Sequence, residues 1–186
     1  MGLDINLSTD NQAIQEAEAT DEDLFYQHSL SRTFCNLIGR QDMDDPELNQ
    51  IGRLTGIDIS PFYEMTAYPS EEHLEFKLRI AEDEAERQSI LEEAAEDKAR
   101  AAGNLDRVLA TVEGLLNRLA PVDNLPSLLK NEGFTSGDYE PYFGNFLTDT
   151  GDGYIGNNFG QDLRNLKRHL NYIKAAGGTT VFFEFG

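Results

Sequence analysis

The strongest strand signals in this chain lie at its two ends, and helical periodicity dominates what lies between. Gly2-Leu3-Asp4-Ile5-Asn6-Leu7 alternates apolar and polar residues with period two, which points Leu3, Ile5 and Leu7 to one face of a half-buried strand. Thr179-Thr180-Val181-Phe182-Phe183-Glu184-Phe185 is β-branched and aromatic and follows Gly177-Gly178. A two-stranded ribbon alone is marginal in water, so both ends are expected to share one small antiparallel sheet under helices.

Between the ends the pattern is mostly helical. Leu30, Phe34, Leu37 and Ile38 mark one face of a helix over 29–40. Asp45 and Pro46 open a short helix carrying Leu48, Ile51 and Leu54, and Gly56 closes it. Residues 8–27 read as loop or frayed helix, and 57–69 as a connector punctuated by Pro61 and Pro69. Ser70 starts a long helix to about Ala102, with a thin seam of Leu74, Leu78, Ala81, Ala85, Ala95, Ala99 and Ala102. Gly103-Asn104 breaks it, and Asn104 caps a helix with a continuous stripe of Leu105, Val108, Leu109, Val112, Leu115, Leu116 and Leu119. The short joint implies an antiparallel helical hairpin over 70–120 that can project from the body.

Seven glycines and seven aromatics crowd into 133–160, which reads as strands Tyr142–Leu147 and Tyr154–Phe159 about an Asp/Gly turn. A last helix runs from about Phe159 to Ala175. Leu163, Leu166, Leu170 and Ile173 face inward, and Arg164, Lys167, Arg168 and Lys174 form an outward basic cluster. The expected fold is therefore α+β: a single domain over 1–186, mostly helical, with a long helical hairpin and a small antiparallel sheet using both termini.

Charge then limits function. Fifteen basic residues stand against thirty-four acidic ones, a net charge of −19. A chain so acidic is not expected to bind nucleic acid or an anionic membrane directly. It has no apolar run long enough to span a bilayer and no basic, then apolar, leader, so a cytoplasmic location is expected. Cys35 is the only cysteine and makes no internal disulfide.

Chemistry-bearing motifs are weak. Asp149 to Ile155 resembles a calcium loop, but placing Gly153 at loop position 6 leaves Thr148 and Thr150 at positions 1 and 3 and Phe159 at 12, where Glu is needed. His28, His73 and His169 have no i,i+4 partner and read as separate surface or helix-face residues. Cys35 lies beside an apolar stripe, the usual setting of a buried structural thiol. Gly151-Asp-Gly153-Tyr-Ile-Gly156 matches a dinucleotide pattern only in spelling, with no βαβ unit around it. No catalytic residue, metal ligand or cofactor is expected on these grounds.

The remaining feature is the acidic segment 70–103, with eleven acids and five bases. Most charged helical faces serve solubility. As a docking face, this one would present Glu82, Asp83, Glu86, Glu92, Glu93, Glu96 and Asp97 away from the alanine seam. They would meet a basic protein partner, one that normally holds nucleic acid. The expected function is a non-enzymatic acidic binding protein: an inhibitor that imitates nucleic acid, or an immunity protein for a basic toxin. The alternative is a small enzyme with a pocket built from 133–160, and a third reading is a self-associating module that covers the alanine seam.

Met1-Gly-Leu-Asp-Ile-Asn-Leu7 and Thr180-Val-Phe-Phe-Glu-Phe185 resemble the ends of a loose group of small bacterial and phage proteins that begin Met-Gly-Leu-Asp. The second element here, His28-Ser-Leu-Ser-Arg-Thr-Phe34, departs from the Tyr-Trp-Arg-Lys wording of that group. The resemblance implies a phage or mobile-element setting and assigns no site residue.

Overall fold

The computed structural model describes residues 4–149 and 157–186. In these residues ten α-helices surround one antiparallel pair of strands, β1 (Ile5–Thr9) and β2 (Val181–Phe185), formed by the two ends of the chain. The register pairs Ile5 with Phe185, Leu7 with Phe183 and Thr9 with Val181. Ile5, Leu7, Val181 and Phe183 are buried, as alternation requires, and Phe183 packs edge-on to Phe34. On the opposite face Phe182 stacks on Tyr68 at 3.9 Å. Leu3 lies outside the described residues.

The helices are α1 (Gln12–Ala19), α2 (Glu22–His28), α3 (Arg32–Gly39), α4 (Glu47–Thr55), α5 (Ser60–Ala67), α6 (Glu71–Ile80), α7 (Glu84–Ala101), α8 (Leu105–Leu119), α9 (Ser136–Gly144) and α10 (Phe159–Ala175). A short 3-10 turn covers Leu125–Leu128. Helix α10 is the central post: it packs on α8, α2, α9 and β1, with Leu163, Leu166, Leu170 and Ile173 buried. The leucine stripe of α8 is buried against it and against α4 and α5. Gly56 ends α4 with φ +70°, the left-handed conformation for which glycine suits a helix end.

Several expectations are corrected. Residues 8–27 hold two capped helices: Asn11 accepts from the Ala13 amide, and Asp21 from the amides of Asp23 and Leu24. The connector 57–69 contains α5, where Pro61 occupies the first turn, a position that has no intrahelical donor to lose. Helix α4 begins at Glu47 with Pro46 as its cap, and Leu54 is exposed. The first strand of the expected hairpin, Tyr142–Leu147, is not one. Tyr139, Tyr142, Phe143 and Phe146 stand at i, i+3, i+4 and i+7, and their rings are buried from α9 and the turn after it. The second strand, Tyr154–Phe159, is likewise not one where it is described, since Asn158 caps α10 and Phe159 begins it; Tyr154–Gly156 and most of the calcium-like loop lie outside the described residues.

The long helix from Ser70 is broken at Ala81–Asp83. Asp83 caps α7 by accepting the Glu86 amide at 2.8 Å, while the Glu86 carboxylate accepts the Glu82 amide at 2.6 Å. The buried seam of α7 also differs from the expected one: Ala94 and Ala101 are buried and Ile90 half-buried, whereas Ala85, Ala95, Ala99 and Ala102 are exposed. Helix α7 lies against α5 and α6, and α8 turns into the body after Gly103-Asn104.

Asn104 does more than begin α8. Its side chain brackets β2, donating to the Val181 carbonyl and accepting the Val181 amide, both at 2.8 Å. The Gly103 amide donates to Thr180 Oγ1, and the Leu105 amide to the Thr179 carbonyl. The C-terminal strand is thus held by β1 on one side and by the head of α8 on the other.

Candidate functional site

Two regions carry the exposed or reactive chemistry. The first is the α6–α7 arm. Glu82, Asp83 and Glu86 cluster at its corner, where the last two also close the cap just described. Glu92 accepts a hydrogen bond from Gln88 at 2.8 Å, and Glu96 is exposed beside it along α7. Glu93 and Asp97 turn toward a groove shared with Tyr68, His73 and the end of β2. Asp97 is half-buried and paired with Arg100 at 3.0 Å, so it does not stand on the open face. The same arm exposes large apolar side chains: Phe76 at 48%, Ile80 at 60% and Leu91 at 44%. Phe76 and Ile80 are one helical turn apart on α6, on the same face.

The basic cluster expected on α10 is not a free patch. Arg164 donates to the carbonyls of Phe146 and Thr148, and Arg168 to that of Gln27. Lys167 pairs with Glu113 and Lys174 with Asp106. These cations stitch α10 to its neighbours.

The second region corrects the reading of the histidines as separate. His28, at the last residue of α2, and His169, on α10, are both buried, at 7% and 6% exposure. Their rings stack with centroids 4.3 Å apart and planes inclined by 12°. Glu18 from the last turn of α1 serves both: its Oε1 lies 3.3 Å from His28 Nδ1 and in contact with His169 Nε2. Burial alone would push the Glu18 carboxyl up, but the two imidazoles outweigh it and hold it down at about 2. Burial lowers the affinity of His169 for a proton, with Glu18 pulling the other way. Both ring nitrogens of His169 are shut off from solvent; Nε2 meets the Glu18 carboxylate and Nδ1 has no hydrogen-bond partner among the described residues. A cavity of about 350 Å³ opens beside this trio, lined also by Asn6, Ser8, Gln15 and Ser29. The donor atoms of Glu18, His28 and His169 all lie within 4.8 Å of one another. His73, the third histidine, is exposed on α6.

Nothing in the sequence spacing announces this trio, because its members are 10 and 141 residues apart and meet only when α10 closes over α1 and α2. Two further groups are structural. The fully buried Asp162 carboxylate accepts from the Ser31 amide and hydroxyl, the Tyr142 hydroxyl and the Asn157 amide, tying α3 and α9 to α10. Cys35 is buried, which pushes its thiol up to about 11, so it is no nucleophile at neutral pH. The described aromatics of 133–160, Phe134, Tyr139, Tyr142, Phe143, Phe146 and Phe159, are buried in the core.

No protein-family model matches the chain, and no curated protein or solved structure is significantly similar to it. No described helix is long and apolar enough to cross a membrane.

Proposed function

We propose that this protein is a non-enzymatic acidic binding module whose docking face is the α6–α7 arm, and whose partner is a basic protein that itself handles nucleic acid. The observation that supports this reading is the exposure of Phe76, Ile80 and Leu91 on the same arm as Glu82, Glu86, Glu92 and Glu96. Interfaces draw their energy from a few apolar or aromatic anchors and their on-rate and selectivity from the charges around them. A face kept only for solubility has no use for exposed Phe and Ile, which lower solubility. A toxin or a host nucleic-acid-handling complex fits the role of partner, with the arm's carboxylates taking the place of phosphates.

The test compares the wild-type protein with the triple variant Glu82→Lys, Glu92→Lys, Glu96→Lys and with Phe76→Ser, Ile80→Ser. Exposed substitutions of this kind change stability by only about 0.5 kcal/mol each, so the variants remain folded. Each is used as bait in an extract of the source cells at low and at high salt, and retained proteins are measured for association rate. The reading expects a basic partner that the triple variant binds more slowly, that the serine pair releases faster, and that duplex DNA displaces. A partner held equally by all three baits, or unaffected by salt and DNA, refutes it.

A further inference from the structure

We propose that Glu18, His28 and His169 form a zinc site, with Glu18 carboxylate oxygen, His28 Nδ1 and His169 Nε2 as its three protein ligands and a fourth position open to the adjoining cavity. The donor set decides the class of metal. Two imidazole nitrogens and one carboxylate suit zinc and its late first-row neighbours, whereas calcium and magnesium require a cage of oxygens. Three ligands plus one open position is the arrangement of zinc sites that bind a water or a small anion.

The distances permit it. Donors at about 2.0–2.1 Å from a tetrahedral zinc stand roughly 3.4 Å apart. Glu18 Oε1 already lies 3.3 Å from His28 Nδ1, and the three donor atoms fall within 4.8 Å of one another. Because the two rings are stacked with planes only 12° apart, binding turns one imidazole out of the stack so that its lone pair converges with the other donors on one ion.

A purely structural reading leaves one thing unexplained. His169 is buried with its Nδ1 lacking a hydrogen-bond partner among the described residues, while its Nε2 and His28 Nδ1 both converge on the one Glu18 oxygen. An ion among these three groups accounts for two buried imidazoles converging on a single carboxylate oxygen. It also joins α1, α2 and α10 through a single centre.

The experiment titrates the chelator-treated, folded protein with zinc, and separately with cobalt, magnesium and calcium. The expected result is one zinc per chain, a raised thermal transition, and a visible cobalt spectrum of tetrahedral intensity, with no response to magnesium or calcium. His28→Asn and His169→Gln keep an amide donor near Nδ1 and Nε2, respectively, while removing the imidazole. Each should weaken zinc binding at least 100-fold, more than loss of an outer-shell partner usually costs, while His73→Ala changes nothing. Ring-nitrogen NMR shifts of the wild-type protein supply a reading that needs no variant: zinc should move His28 and His169 and leave His73 alone. Zinc binding that survives both substitutions, zinc that moves His73 instead, or unchanged His28 and His169 signals at saturating zinc overturns the site.

Discussion

Asp162 offers the sharpest test of how the fold is held together. Its Oδ1 accepts from the Ser31 amide at 2.8 Å and Asn157 Nδ2 at 3.1 Å, and its Oδ2 from the Ser31 hydroxyl at 2.6 Å and the Tyr142 hydroxyl at 2.8 Å. Burial pushes its carboxyl up, and these donors pull against that effect. Asp162→Ala leaves buried donors on α3, on α9 and before α10 without an acceptor. A stranded buried donor costs about 1–3 kcal/mol, and breaking one side of a buried charged network about 3–5 kcal/mol. The expected loss is therefore about 4 kcal/mol, or roughly 10 °C in Tm for a chain of this size. Urea unfolding should show a lower midpoint with an unchanged slope. Tyr142→Phe alone removes one donor to a charged acceptor and should cost about 1.5–2 kcal/mol. In the Asp162→Ala background the phenol has already lost its acceptor, so the same change should cost nothing or restore stability. This reversal is a coupling energy that only a shared network produces. If Asp162→Ala costs under about 1 kcal/mol, or Tyr142→Phe costs the same in both backgrounds, the network is not what joins these helices.

Glu18 predicts the acid limb of stability in the metal-free protein. Its carboxyl is held down at about 2 against an ordinary 4.5, so its contribution is present above pH 4.5 and lost as pH falls toward 2. With solvent screening allowed for, that contribution is about 2 kcal/mol. Glu18→Gln should flatten the dependence of the urea midpoint on pH over this window, and parallel curves for the two proteins would count against the assignment. The raised Asp162 carboxyl works in the opposite sense, favouring the fold below its ordinary value of 3.8 and losing that contribution as pH rises through its folded value. Gly160→Ala places a Cβ 1.9 Å from the Phe146 carbonyl oxygen, backbone against backbone. Since neither partner is a flexible side-chain end, a loss of about 3 kcal/mol is expected in thermal or urea unfolding; a variant as stable as wild type contradicts the close approach of α10 to the turn after α9.

The parts of this molecule legible in its sequence are those governed by nearest-neighbour periodicity. Alternation at 2–7 and the β-branched and aromatic residues at 179–185 place two strands, and the stripes of α3, α8 and α10 assign their buried faces. The α+β class follows from these elements alone. The sequence misleads where one local cue overrides another. Aromatics at 139, 142, 143 and 146 have helical spacing, but the glycines around them suggested a hairpin. Asp83 and Glu86 carry a readable cap, hidden because each is also one more acid in an acidic run. On α7 so many small residues stand together that a seam one position away fits almost as well, and contact with α5 decides which alanines are buried.

Side-chain meetings across long sequence distances were decided only by the packed structure. Asn104 looks like a helix cap but brackets Val181, seventy-seven positions away. The cations of α10 read as a free basic face, yet carbonyls and carboxylates from other elements occupy them. His28 and His169 each look like an isolated histidine, because hydrophobic periodicity says which face of a helix is buried and nothing about what faces it. Only the docking of α10 on α1 and α2 brings Glu18, His28 and His169 together, turning three unremarkable positions into one buried cluster.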